Sequence, residues 1–249
     1  MKIDRRFEVS VWSALLAALL GCAGPSPAQA ACPVCKPAPA GITNWYPGDF
    51  NAQDLLSSNA GTISGVTYTP GQVQNAFTFA GNGLVQFGAN VANFGTSNFS
   101  IAFWIKAGTA YGYQAVMENR TICGGNVPFW TIVVDDQGIL AGVANSNQFF
   151  SVQGSKNVED GNFHHVVWMR QYETLSLYVD GVLDTSVTDT PLIDTGSPND
   201  FHAGTSVCQD GFSQVSLSGQ LDEIQIYNKV LTPSEIRGLF NAGHLGNCK

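Results

Sequence analysis

Charge is scarce in this 249-residue chain: Asp, Glu, Lys and Arg make up 12% of it, and 11 Lys and Arg face 19 Asp and Glu, for a formal net charge of −8. A chain so poor in basic residues lacks the Lys/Arg patch that phosphate neutralisation requires, which argues against a nucleic-acid partner. An acidic surface remains compatible with a cation or a neutral glycan. Histidine is also rare, limited to His164, His165, His202 and His244. No Gly-x-Ser-x-Gly elbow accompanies them, so no nucleophile triad of that kind emerges. Long apolar runs are missing as well. The one apolar stretch, Val9 to Leu20, is too short for an ordinary membrane-spanning helix.

That stretch follows Lys2, Arg5 and Arg6 and reads as an export signal over residues 1–30. Two endings fit it equally. Ala28-Gln29-Ala30 is a small-residue cleavage site, whereas Leu19-Leu20-Gly21-Cys22 has the form of a lipobox that would leave lipid on Cys22. In the second case a lipid anchor is the only membrane contact, and the product is a cell-surface or periplasmic lipoprotein rather than a secreted protein. Residues 31–42 form a linker rich in Pro, Ala and Cys, and residues 43–249 hold the folded domain. With 44% hydrophobic residues, that length suits one sizeable globular domain.

The domain alternates apolar and polar residues between turn signals. Phe99 to Ile105 is rich in strand formers. Phe129 to Val134 and Ile139 to Val143 flank Asp135-Asp136-Gln137-Gly138, a hairpin signal. His164 to Arg170 and Leu175 to Val179 flank a second turn, Asp180-Gly181 leads into Val182 to Val187, and Leu221 to Tyr227 is the last strong strand. Turns spaced about ten residues apart predict an all-β antiparallel sandwich. One helix interrupts the pattern. Thr232 is placed to cap it, Pro233 suits its first position, Glu235 completes a capping box and Gly243 ends it, with Ile236, Leu239 and Phe240 on one face. Trp104, Trp130 and Trp168 sit inside strand patterns and are assigned to the core.

Six cysteines fit an exported protein. Cys123 and Cys208 lie in loop-like settings inside the domain, and a disulfide between them is expected in an oxidising compartment. Cys32 and Cys35 form a Cys-x-x-Cys, but neither a βαβ pattern nor a second Cys/His pair supports a redox or zinc site.

The run Leu217 to Ile236, with its Asp222-Glu223 pair in a strand entering the capped helix, carries a resemblance together with Asn162-Phe163-His164-His165-Val166-Val167-Trp168 and Leu177-Tyr178-Val179-Asp180-Gly181. From residue 43 to 245 the chain resembles the laminin G-like, concanavalin A-like jelly rolls of the lectin and glucanase superfamily. The resemblance implies a two-sheet antiparallel sandwich with one short C-terminal helix packed beside it. It also implies termini close together, so that Cys248 pairs with Cys32 or Cys35.

Laminarinase-type members of that superfamily carry Glu-x-Asp-x-x-Glu on one strand. Here the corresponding run is Gln220-Leu221-Asp222-Glu223-Ile224-Gln225, with amides at both glutamate positions. An amide neither delivers a proton nor acts as a carboxylate nucleophile, and a retaining hydrolase needs two carboxyl groups about 5–5.5 Å apart. Adjacent strand residues also face opposite ways, which separates Asp222 from Glu223. No catalytic residue is expected. Relatives hold a structural Ca²⁺ between the first loop and the last strand, and the matching oxygen donors are Asp54, Asn59 and Asp222. The competing reading of Asp54 and Asn59 is plain Asx turns.

For a glycan, the candidate contacts are the loop aromatics Tyr111, Tyr113, Phe149 and Tyr172 with the amides of Asn145 and Asn147. A ring offers an apolar face to a sugar, and a tyrosine adds a hydroxyl at its edge. The sequence thus predicts an exported, non-catalytic binding or adhesion module for carbohydrate or a cell-surface component, with calcium as a structural cofactor. The alternatives are a glycosidase-like enzyme with an unfamiliar site and a structural component of an envelope or extracellular assembly.

Overall fold

The computed structural model describes residues 35–124, 127–145, 148–196, 200–210 and 214–249. The export signal, Cys22, Cys32 and Asn147 lie outside them. Fourteen strands follow in order: β1 (Ile42–Tyr46), β2 (Thr62–Pro70), β3 (Asn75–Gly88), β4 (Phe99–Ala107), β5 (Tyr113–Asn119), β6 (Phe129–Asp135) and β7 (Gly138–Asn145). Then come β8 (Gln148–Gln153), β9 (His164–Gln171), β10 (Thr174–Val179), β11 (Val182–Val187), β12 (Phe201–Ala203), β13 (Gln214–Ser216) and β14 (Ser218–Tyr227). A helix, α1 (Pro233–Ala242), closes the chain with a short 3-10 turn after it.

The hydrogen-bonded order is β11-β10-β9-β4-β14-β3-β12-β5-β6-β7-β8, with β1 on β14, β2 on β3 and β13 on β5. Only the β13–β5 pair among these strands is parallel. The path folds back on itself, so that β8 meets β10 and β11 across the core. The result is the jelly-roll sandwich expected from the patterning. Strand β3 passes from one sheet to the other: Phe77–Ala80 pair with β14, whereas Val85–Gly88 pair with β12. Between these segments the backbone turns at Gly81, whose φ of 83° suits a residue without Cβ.

Alternation fixes what fills the sandwich. Trp130, Ile132 and Val134 of β6 point inward, as do Ile139, Ala141 and Val143 of β7. The aromatic rings form an unbroken chain through the core. Phe94 stacks on Phe99 (4.0 Å), Phe99 meets Trp168 (4.9 Å), Trp168 meets Trp130 (5.9 Å), Trp130 meets Phe201 (5.3 Å) and Phe201 stacks on Phe87 (4.5 Å). Trp104 is buried as expected, but outside this chain of rings. It belongs to the opposite face of its sheet, against His165 and Phe240 of α1. A buried Arg170 holds the edge of the core by donating to the carbonyls of Gly95, Ser97 and Ile193.

The β6–β7 turn is set by Asp135, whose Oδ1 accepts from the backbone N–H of Gln137 and Gly138, both at 3.0 Å. Thr232 caps α1 with the complete capping box, and Ile236 and Leu239 pack onto Ala102, Val167, Met169 and Tyr227. Cys123 and Cys208 are joined as expected, with Cα atoms 4.7 Å apart. Cys248 takes Cys35 as its partner, at a Cα separation of 4.9 Å, and a bridge between Lys36 and Asn247 lies beside the bond.

Strand β14 corrects one step of the sequence argument. Its register against β4 slips between Asp222 and Gln225, and Glu223 sits at φ 53°. A bulge re-aims side chains that simple alternation would separate. Asp222 consequently feels the charge of Glu223, and both feel those of Lys249 and Asp49.

Candidate functional site

The outward faces of β6, β7 and β8 carry the other half of the alternation. Register places Phe129 opposite Ala144, and Ala144 opposite Phe149, so these three side chains form one row across three strands. Because the middle residue is only a methyl, the two rings approach over it, with centroids 6.3 Å apart and planes 22° from parallel. In the next row, Thr131 faces Gly142. The Phe149 ring lies over that glycine: a Cβ built there would stand 2.5 Å from Phe149 Cζ. Small residues at 142 and 144 therefore hold the ring down along the sheet.

This row floors a groove of about 420 Å³, bordered by Tyr113, Arg120, Asn145, Gln148 and Gln214. Phe149 is 49% exposed and Tyr113 41%, so both offer ring surface to solvent. An apolar floor with a few polar groups at its rim is the usual construction of a small-ligand site. No Asp or Glu lines the groove among the described residues.

Three expected contacts, Tyr113, Asn145 and Phe149, meet here. Tyr111 is 87% exposed and borders a neighbouring cleft with Asp135, Asp136 and Gln137. Tyr172 stands on the β9–β10 turn, where its N–H donates to Asn98 Oδ1, and it does not line the groove. Sequence reasoning missed Phe129, Arg120 and Gln214. The signal for Phe129 was its alternation with Trp130 in β6, which says that one of the two must face outward.

The expected metal ligands are placed as follows. Asp54 is buried, and both its carboxylate oxygens already accept hydrogen bonds, from Asn44 Nδ2 at 2.7 Å, Trp45 N at 2.9 Å, Leu56 N at 3.1 Å and Ser57 Oγ. The Leu56 contact is an Asx turn. Asn59 is exposed and donates its backbone N–H to Ser57 Oγ. Asp54 thus has both carboxylate oxygens engaged by the protein itself. Asp222 is fully buried in a different setting. Its Oδ2 accepts from Val73 N at 2.8 Å, while Oδ1 has no hydrogen-bond partner among the described residues. Burial pushes its carboxyl up to about 8. Glu223 accepts from Trp45 Nε1 at 2.6 Å and pairs with Lys249 Nζ at 2.7 Å, and Lys249 also pairs with Asp49. Among the described residues, no group of three or more His, Cys, Asp or Glu side chains is arranged to hold a metal ion.

His164 and His165 are held by structure. His164 Nδ1 lies 2.9 Å from Asp180 Oδ2 and its Nε2 3.2 Å from Asp160 Oδ1, and Asp180 Oδ1 accepts the His165 backbone N–H. No nucleophile accompanies either ring among these contacts.

Comparison with known proteins is consistent with this architecture. A sequence model described as the concanavalin A-like lectin/glucanases superfamily matches residues 79–237. No curated protein is similar enough in sequence to be matched. Among solved structures, the chain is similar to domain 4 of AbnA, a GH43 extracellular arabinanase from Geobacillus stearothermophilus, in complex with arabinotriose. The TM-score is 0.65 at 19% identity, covering 79% of this chain and 97% of that one. It is also similar to the binding domain of Paraclostridial Mosquitocidal Protein 1, with a TM-score of 0.63 at 17% identity, covering 81% of this chain and 52% of that one. A third is the binding domain of Botulinum Neurotoxin DC in complex with SialylT, with a TM-score of 0.59 at 15% identity, covering 82% of this chain and 52% of that one. The chain thus spans about half the length of the toxin binding domains. At these identities the likeness is one of fold.

Proposed function

The chain belongs to the concanavalin A-like lectin/glucanases superfamily, and within it we propose an exported, non-catalytic module that binds carbohydrate on the outer face of β6, β7 and β8. The observation that carries the reading is the row Phe129–Ala144–Phe149, two near-parallel rings held against the sheet in an open groove. Such a floor suits the apolar face of a sugar ring, with Asn145, Gln148 and Gln214 at the rim to meet its hydroxyls. A structurally similar domain, solved in complex with arabinotriose, supports the ligand class by analogy. The two disulfides support an oxidising compartment.

Hydrolysis is poorly served. The groove has no carboxylate among its described lining residues, and Asp222 and Glu223 are buried at 0% and 5% exposure. Titration calorimetry with arabinotriose and other neutral oligosaccharides tests the reading. Phe149→Ala should weaken binding by about tenfold or more, since loss of a stacked ring costs on the order of 1–3 kcal/mol. Glycans that bind the wild type and Phe149→Ala equally would remove the groove from the reading, and turnover of any of them would return the enzyme alternative.

Calcium belongs to the proposal as a structural ion drawing on Asp222, whose buried Oδ1 has no hydrogen-bond partner among the described residues. An ion bound only to the folded state raises the melting temperature by mass action. Millimolar Ca²⁺ should raise it in the wild type and not in Asp222→Ala. A wild-type melting curve indifferent to both Ca²⁺ and chelator would leave Lys249 as the cation of this cluster.

A further inference from the structure

Arg120 is the one charged side chain among the described residues lining the groove. It follows the last residue of β5 and is half-buried. Its guanidinium carbon lies 4.0 Å from the centroid of Phe129, and its Nε donates to Ile122 O at 3.0 Å. Two contacts therefore fix the plane of the fork on a ring that already belongs to the platform.

No described carboxylate lies within 4.0 Å of Arg120. The acid whose charge acts on it, Glu118, is occupied elsewhere: Oε1 is 3.2 Å from His202 Nε2 and accepts from Val207 N, and Oε2 accepts from Ser206 Oγ at 3.0 Å. Burial pulls the guanidinium below its ordinary pKa yet leaves it a cation at any physiological pH. In a chain of net charge −8, a partly desolvated arginine that lines an open groove without a carboxylate partner offers an incoming anion a charge-assisted hydrogen bond.

The same side chain also lines a second cleft of about 300 Å³ with Gln86, His202 and Ser206, so Arg120 stands on the divide between two concavities. A ligand crossing from one to the other passes the guanidinium. An acidic protein repels a densely charged polyanion, and the second cleft carries Asp200. A single carboxylate on an otherwise neutral chain avoids that repulsion and still meets the fork.

We propose that the groove selects a neutral glycan chain bearing an isolated uronic acid, with the uronate carboxylate on Arg120, which covers Phe129, and the neighbouring neutral sugar stacked on the exposed ring of Phe149. This rests on the glycan reading above and gives it a substrate class.

The test uses the whole protein and matched probes: xylo-oligosaccharides carrying one glucuronic acid, the same oligosaccharides after carboxyl reduction, and arabinotriose. The wild type should bind the acidic probe about 10–100-fold more tightly than its reduced counterpart, the range for a charge-assisted hydrogen bond. That preference should shrink as salt rises. Arg120→Gln should abolish the preference while retaining the affinity for the reduced probe. Arg120→Lys, which keeps the charge and loses the fork, should retain only part of it. Equal wild-type affinity for the acidic and reduced probes would overturn the uronate assignment and leave the glycan reading intact. That comparison involves no variant, so misfolding cannot obscure it. Failure of all probes to bind would overturn both.

Discussion

His165 shows how a single buried side chain ties stability to pH. Its ring packs edge-on against Trp104 at 5.0 Å, its Nδ1 has no hydrogen-bond partner among the described residues, and burial lowers its pKa from 6.5 to about 4. The folded protein therefore holds this imidazole neutral. Above pH 6.5 both folded and unfolded states are neutral and the full contribution is present. As pH falls from about 6.5 towards 4, the unfolded chain takes up the proton first and stability is lost. The loss amounts to about 3 kcal/mol by pH 4, at about 1.4 kcal/mol per pKa unit. Chemical denaturation of wild type and His165→Gln at pH 7 and pH 4.5 checks it. The wild type should be clearly more stable at pH 7, and the gap should narrow in acid. A gap that stays constant would mean that His165 does not titrate in this window. At the same scale, the Asp54 carboxylate accepts four hydrogen bonds, one of them closing an Asx turn at Leu56.

At the scale of the element, α1 is the clearest case of local chemistry deciding structure. Thr232 Oγ1 accepts from Glu235 N at 3.2 Å and Glu235 Oε2 accepts from Thr232 N at 2.8 Å, with Pro233 at the first helical position. Thr232→Ala should destabilise the domain by about 1 kcal/mol, read as a lower denaturation midpoint with an unchanged slope. A neutral result would mean that docking of Ile236 and Leu239 alone holds the helix. This element was legible because capping residues act on their own neighbours. The β6–β7 hairpin was legible for the same reason, through Asp135 and Gly138. By contrast, the transfer of β3 between sheets and the bulge at Glu223 depend on partners far away in sequence, and no local pattern announces them. The groove was half legible. Strand alternation separates Phe129, Thr131 and Val133 from Trp130, Ile132 and Val134, and a core Trp130 turns the first set outward, but nothing local says that these outward residues floor a groove. Arg120 was missed because only the fold brings the end of β5 beside Phe129.

The whole molecule is closed by the Cys35–Cys248 disulfide, whose partners are 213 residues apart in sequence. Cross-linking so long a loop removes much of the unfolded chain's freedom. Replacing both cysteines with serine should cost about 2–5 kcal/mol. For a domain of this size that corresponds to a fall in melting temperature of about 2–4 °C for each kcal/mol lost. Differential scanning calorimetry of the double variant measures it, and an unchanged melting temperature would show that the Lys36–Asn247 bridge and the Lys249 ion pairs already hold the ends together.

That closure also decides where a pull would go. Tension arriving along the chain ahead of Cys35 reaches a covalent junction before it reaches any strand, and there it divides between β1 and the segment ending at Lys249. Both lead to β14: Trp45 pairs with Gln225 in β1's ladder, and Gln225 Nε2 also donates to Asn247 Oδ1 at 3.2 Å. A force that would peel one terminal strand away bond by bond is thus spread over two attachments to the middle of the sheet, while the Phe129–Phe149 groove lies on a different stretch of the hydrogen-bonded path. A pull on the amino-terminal side of the domain therefore loads two attachments in parallel, where a single terminal strand would be loaded one hydrogen bond at a time.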